Sequence, residues 1–255
     1  MRGFLAGALL ELRIVRANPD ALIPLFTAPL FAIIFLAIVR QSGRHDLQAD
    51  ALMAPVLMTL MWIALQHAGT MITADRWQAV LEPLIATPTS LASVLLGRIA
   101  SLMCFGLLSF FEVWIAGELV FGVSLTFDHP LALALTLLVT SFAMAGTAIA
   151  FAALFVMTRN AYTFTNSMSF PFYLLGGVFV PVAILPAFVR PVSSGIFMSW
   201  SADLLRASLR PAAIDDFWPR IGVVLGLGVL SFAIGRTLLS YVLRRMRVKG
   251  ELAAA

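Results

Sequence analysis

Residues 75–88 read Asp75-Arg76-Trp77-Gln78-Ala79-Val80-Leu81-Glu82-Pro83-Leu84-Ile85-Ala86-Thr87-Pro88, a mixture of charge, one aromatic ring and two prolines between long apolar runs. Pro83 suits the first turn of a short helix, where its missing N–H costs nothing, and Pro88 ends that helix. A short charged helix of this kind would serve as a rigid knob for a soluble partner. A solvated loop that only reverses the chain would use the same residue types, and spacing alone does not separate the two. Glu112 is the second group of interest, because it lies deep in an apolar run. A carboxylate in hydrocarbon costs on the order of a few kcal/mol, so it faces a cavity, pairs, or stays protonated. It would be either a cation-preferring or hydrogen-bonding point on a passage through the protein, or a protonated acid bonded to a neighbouring helix. His67 presents the same choice. Glu118 sits near the end of its run and can reach the interface.

Other chemistries find no residues to carry them. Ser193-Ser194-Gly195 would need a base near a serine to make a nucleophile, and the histidines His45, His67 and His129 offer no compelling partner. None of the three has a metal-ligand partner at helical spacing. Cys104 is the single cysteine, which excludes an internal disulfide and a cysteine-held metal. Sixteen of the 17 basic residues are arginine, and the one lysine, Lys249, is not framed by the glycines of a phosphate-binding loop. Gly226-x-Gly228 follows no strand and is not a dinucleotide loop. We therefore expect no catalytic residue, no metal site and no lipidation signal in this chain.

The elements that position these groups follow from composition. Of 255 residues, 61% are hydrophobic and 12% charged, with a mean hydropathy of +0.97. Soluble domains average about 45–50% apolar and about 25% charged residues, so lipid is the main solvent here. Six runs approach the ~20 residues that cross about 30 Å of hydrocarbon: 22–39, 51–73, 91–121, 130–157, 164–182 and 217–242. Helices are required, because lipid cannot satisfy an open backbone and the alternation of a barrel is absent. Residues 1–20 carry Leu5, Ala8, Leu9, Leu12 and Val15 on one stripe, which predicts a short interfacial helix. The apolar run Phe4–Leu10 is too short, and too soon followed by charge, for a cleaved signal peptide. The whole chain, 1–255, reads as one transmembrane domain.

An even number of spans puts both termini on one side. Of the basic residues, 11 fall on the terminal side and six on the other, which predicts cytoplasmic termini. The net charge of +4 and the pI near 10.0 then reflect topology rather than nucleic acid. Gly176-Gly177 would let another helix approach closely. Pro181 and Pro186 interrupt the chain near the outer surface, so that 183–205 forms either short re-entrant helices capping a pathway or an ordinary external loop. Gly222-x-x-x-Gly226 reads as a packing face within the subunit, with a dimer contact as the other use.

Asp75-Arg76, Leu81-Glu82-Pro83-Leu84, Thr87-Pro88 and Gly97-Arg98 resemble the permease subunits of bacterial type-2 ATP-binding-cassette (ABC) exporters. The Gly-rich run Leu175-Gly176-Gly177-Val178-Phe179-Val180-Pro181, with Leu185-Pro186 after it, resembles that family's fifth span and its proline-bounded turn. Asp203-Leu204-Leu205-Arg206 resembles its Asp-x-x-Arg segment before the last span. Asp75 stands where the family commonly has Glu, and Ala79 where it has Gly. The resemblance implies an all-α inner-membrane protein with six spans, a cytoplasmic coupling helix within 74–90, and a re-entrant external segment that includes Pro186, Asp203 and Arg206. It implies that Asp75, Arg76, Leu81, Glu82, Pro83, Leu84, Thr87 and Pro88 meet an ABC ATPase, present in two copies. It implies a second permease copy or paralogue, no nucleic acid, and ATP and Mg held by the ATPase rather than by this chain. Glu112, Gly176, Gly177, Phe179 and Pro181 would line the substrate pathway, and the cargo would be a drug or antibiotic, a lipid, a lipid-linked saccharide or a peptide. The 20 Phe and 11 Met residues would suit such guests, but any lipid-facing helix uses the same types. The alternative is a membrane protein that works without ATP, as a secondary transporter or an assembly factor.

Overall fold

In the computed structural model, residues 2–44, 47–77, 91–123, 128–157 and 161–249 are described, and they contain helices and no strand. In chain order the helices are α1 (Arg2–Ala17), α2 (Ile23–Gln41), α3 (Gln48–Trp77), α4 (Leu91–Phe121), α5 (Pro130–Met157), α6 (Ala161–Leu175), α7 (Arg190–Ser194), α8 (Phe197–Ser208) and α9 (Phe217–Lys249). Single 3-10 turns lie at Pro19–Leu22 and Val182–Ile184.

Five of these helices, α2, α3, α4, α5 and α9, are long and apolar enough to cross a membrane. The runs 91–121 and 130–157 coincide with α4 and α5. The runs 22–39, 51–73 and 217–242 fall within a residue of, or inside, α2, α3 and α9, which continue past the apolar stretch into polar ends. Hydropathy marks contact with lipid, whereas backbone hydrogen bonding carries a helix on into water.

The run 164–182 needs correction. Its helix, α6, ends at Leu175 and has 15 residues, about 22 Å at 1.5 Å per residue. Gly177 has φ +66°, its N–H donates to the Leu174 carbonyl at 3.2 Å, and the Val178 N–H donates to the Tyr173 carbonyl at 3.0 Å. That is a Schellman stop, and it needs a residue free to take the left-handed conformation. Gly176 does serve the expected close approach: a Cβ there would lie 2.8 Å from the Met198 sulfur of α8.

At the centre lies α3, which touches α2, α4, α5, α6 and α8. Ala28, Ala32 and Leu36 bury one face of α2, while Phe26, Leu30, Ile34 and Ile38 lie exposed on the other, as suits lipid. The amphipathic α1 lies against α4. It buries Gly7, Glu11 and Val15 at four-residue spacing, and exposes Leu5, Leu9 and Leu12. A Cβ on Gly7 would collide with the Val94 carbonyl, and one on Gly97 with the Phe4 carbonyl, so the two backbones touch through reciprocal glycines.

The glycines that pack α9 are not the expected pair. Gly222 and Gly226 face open space. A Cβ on Gly228 would lie 2.9 Å from Ala143 Cα, and one on Gly235 2.6 Å from the Ala150 nitrogen, both on α5. Phe142 and Phe232 stack beside them with centroids 5.5 Å apart. Replacing Gly228 or Gly235 by Leu should therefore lower the thermal unfolding temperature of the detergent-purified chain, by an overpacking cost of about 1–3 kcal/mol each. Gly222→Leu should leave that temperature unchanged; equal damage from Gly222→Leu would refute this assignment of faces.

Candidate functional site

Among the described residues, two buried charge clusters sit in the bundle. The first fastens α1 to α4: Arg98 Nε donates to Glu11 Oε2 at 2.7 Å, with both side chains under 5% exposed. Ser101 Oγ, one turn on, donates to the Gly97 carbonyl at 3.0 Å. Both charges come from positions where the packed glycines Gly7 and Gly97 have already removed water, so neither acid nor base could be kept there alone.

The second cluster is larger and centres on Arg206 of α8, whose side chain is 5% exposed. Its Nε lies 2.5 Å from Asp50 Oδ1, with the N–H off that line, so the contact is an ion pair rather than an aligned hydrogen bond. One terminal nitrogen donates to the carbonyls of Gly177 and Val178, at 2.7 and 2.9 Å. The other reaches Asp203 Oδ1 at 3.4 Å. Asp50 stands in the first turn of α3, where the positive end of the helix dipole favours an acid. Gly177 and Val178 belong to the Schellman turn of α6, where bare carbonyls favour a cation. Arg206 thus joins the start of one helix to the end of another. Two further arginines hold the rim: Arg210 is 3.9 Å from Asp50 Oδ2, and Arg220 is 3.8 Å from Asp203 Oδ2.

A cavity opens on each side of this hub. One, of about 410 Å3, is lined chiefly by apolar groups: Phe35 and Ile38 of α2, Ala51 and Ala54 of α3, and Phe179 and Ile184 of the broken segment. Arg44 and Asp50 are its charged lining residues, and Pro181 also borders it. The other, of about 370 Å3, is lined by Asp203, Arg206, Arg210, Asp215 and Arg220, again with Pro181. Phe179 makes edge contacts with Tyr173 and Phe35 at 5.7 and 6.4 Å, and the Tyr173 hydroxyl donates to the Met58 carbonyl at 3.2 Å.

Of the expected pathway residues, Gly176, Gly177, Phe179 and Pro181 gather here, with Asp203 and Arg206 beside them. Pro186 lies on the exposed stretch before α7. Glu112 is elsewhere: it is half-buried on α4, lines neither cavity, and its Oε2 is shielded from water with no hydrogen bond among the described residues. His67 is half-buried within α3. Asp75 and Arg76 occupy the last turn of α3, whereas Leu81, Glu82, Pro83, Leu84, Thr87 and Pro88 lie outside the described residues. Asp50 and Glu11 are the residues the sequence reading missed. The available signal was that each is an acid at the margin of an apolar run, within reach of an arginine at another margin.

A family model described as ABC-2 type transporter matches residues 11–209. The chain belongs to that family. It is accordingly a membrane-embedded, multi-pass transport component, a permease, and the family's members work with ABC ATPases. The match begins at Glu11 of the α1–α4 clamp and includes the hub with Asp50, Gly177 and Arg206, while α9 lies beyond it. No curated protein matches the permease significantly.

Removing one partner of a buried pair typically costs about 3–5 kcal/mol, because the other charge is left without compensation. Arg206→Ala should therefore lower the unfolding temperature of the purified permease sharply. Arg206→Lys should recover only part of it, since an ammonium cannot reproduce the guanidinium fork. Asp203→Asn should cost about 0–1 kcal/mol, the range of an exposed pair, because Asp203 is 41% exposed. Thermal unfolding that ranks Asp203→Asn with Arg206→Ala would remove Arg206 from the centre of the cluster.

Proposed function

We propose that the chain is the membrane-spanning subunit of an ATP-driven exporter that moves a hydrophobic or amphipathic substrate outward across a bacterial inner membrane. The observation that carries this reading is α3. It is one helix of 30 residues, about 45 Å long, with Asp50 of the hub in its first turn and Asp75-Arg76 in its last. Its single internal proline, Pro55, lies near the start, so the rest of the rod is free of a proline kink. A displacement delivered at Asp75-Arg76 therefore reaches Asp50 along one helix. The α1–α4 clamp braces the helix that leaves the same connection.

In this reading two permeases, identical or paralogous, pair with two ATPases that bind ATP and Mg. ATPase closure pushes the segment containing Leu81, Glu82, Pro83, Leu84, Thr87 and Pro88. The work goes into shifting a two-state membrane element, and only a difference in binding between the two states can drive that shift. The excess of basic residues on the side of α1 and the end of α9 supports cytoplasmic termini. The hub then lies at the outer end, where the cavities receive cargo before release.

The test is reconstitution. Proteoliposomes holding the permease and its ATPase should transport only with ATP, and a proton gradient alone should not replace it. Arg76→Ala and Glu82→Ala should abolish the stimulation of ATPase activity by the permease while leaving the permease folded. Glu112→Gln should retain ATP-driven transport, because Glu112 lines neither cavity. Flux driven by a proton gradient without ATP, and lost in Glu112→Gln, would replace this proposal with a secondary transporter.

A further inference from the structure

The two cavities flanking the hub share Pro181 and meet at Asp50, Arg206 and Arg210. One is mainly apolar with aromatic walls, Arg44 and Asp50 being its charged lining residues, and the other is lined by five charged side chains. Asp50 and Arg206 satisfy each other at the seam, so the seam itself has little charge to offer. The rim differs. Among the described residues, Arg210 and Arg220 are held only by contacts of 3.9 and 3.8 Å to carboxylates, beyond hydrogen-bond length. Their guanidinium donors therefore face the polar cavity without a short acceptor. Asp215, also on that cavity, makes no ion pair among the described residues.

The depth of the site is set by the chain. The helices α3, α5 and α9 start at this end, and α2 stops at it, so it lies where hydrocarbon gives way to water. Trp218, 71% exposed, is an aromatic group of the kind that gathers at such a boundary. A molecule lodged across the seam would therefore have its tail at acyl-chain depth and its polar end at headgroup depth.

We propose that the paired cavities form one binding site for a phosphate-bearing amphiphile, of the class of a membrane phospholipid. One acyl chain lies in the Phe35–Phe179 cavity, and the phosphate lies on Arg210 and Arg220. Arginine is the residue suited to this, since its planar fork pairs with two phosphate oxygens at once. Asp215 favours a headgroup that also carries an amine over one with added negative charge. The site does not depend on ATP drive or on the direction of transport, and it is measured on the permease alone.

The experiment uses the purified full chain in detergent, with binding read from quenching of tryptophan fluorescence by a brominated-chain phosphatidylethanolamine. Brominated diacylglycerol, which has the same tails without phosphate, and free phosphoethanolamine, which has the headgroup without tails, are the comparison arms. The phospholipid should bind saturably, and Arg210→Gln/Arg220→Gln should weaken it by about tenfold or more, the usual effect of losing charge-assisted bonds. Ile184→Phe, which narrows the apolar cavity from its exposed rim without adding a tryptophan, should weaken both lipids. An unchanged unfolding temperature in each variant establishes that the fold is intact. Diacylglycerol binding as tightly as the phospholipid, or a double variant that binds like the parent, would overturn the phosphate half of the proposal. Free phosphoethanolamine competing as well as the lipid would overturn the acyl-chain half and leave a soluble phosphate site.

Discussion

A guanidinium cannot be neutralised at any ordinary pH, so burying Arg206 obliges the chain to bring acceptors to it. Two of the acceptor groups are distant in sequence, Asp50 at the start of α3 and the carbonyls of Gly177 and Val178 where α6 stops, and the third is local, Asp203 one turn back on α8. This obligation explains the break in the chain after Leu175. A helix that ran straight on through 176–182 would keep its own carbonyls, and Arg206 would lose two of its partners. The Schellman turn at Gly177 frees those carbonyls and aims them inward. Membrane-depth backbone that is not helical survives only when protein surrounds it, and here the arginine is that protein.

The two cavities flank the same hub. Beside the Asp50–Arg206 pair, the broken segment touches α2 through Phe179, which lies against Phe35 and Tyr173, while Pro181 borders both cavities. Space is left on the apolar side. On the polar side, Arg210 and Arg220 compete for carboxylates already taken by Arg206, which leaves them at long distance.

How much of this could be read from the residues depends on the range of the interaction. The helices at 91–121 and 130–157 were legible to the residue, because transfer to lipid is a local sum over side chains. The early end of α6 was not, although Gly176-Gly177 was noticed. A glycine pair marks equally a close approach and a left-handed stop, and only the position of Tyr173 and Leu174 carbonyls decides. Gly222-x-x-x-Gly226 failed for a related reason. On α9, which is apolar on all sides, small residues occur on more than one face, and Gly228 and Gly235 face α5 without forming a four-residue motif. The pairs Glu11–Arg98 and Asp50–Arg206 join residues far apart in sequence. No spacing rule links them, and only the observation that a buried charge needs an opposite one could have proposed them. The segment 78–90 stands apart from this comparison, since its reading as a coupling helix falls outside the described residues.

The two buried clusters divide the permease into parts of unequal stiffness. Glu11–Arg98 and the reciprocal glycines make α1 and α4 a single block, while Arg206 ties α3, α6 and α8 into another. α9 carries no such buried pair among the described residues; apart from the long Arg220–Asp203 contact at its start, it lies on α5 and α8 by close-packed glycine and stacked phenylalanine. Dispersion contacts of that kind change gradually as helices slide, whereas an ion pair in a dry interior is either made or lost. A transition that must have two distinct states is therefore better placed at Asp50–Arg206 than along α9. The helix that bears Asp50 is also the one that carries Asp75 and Arg76 at its far end. In the proposed mechanism, the element that switches and the element that is pushed are one and the same rod.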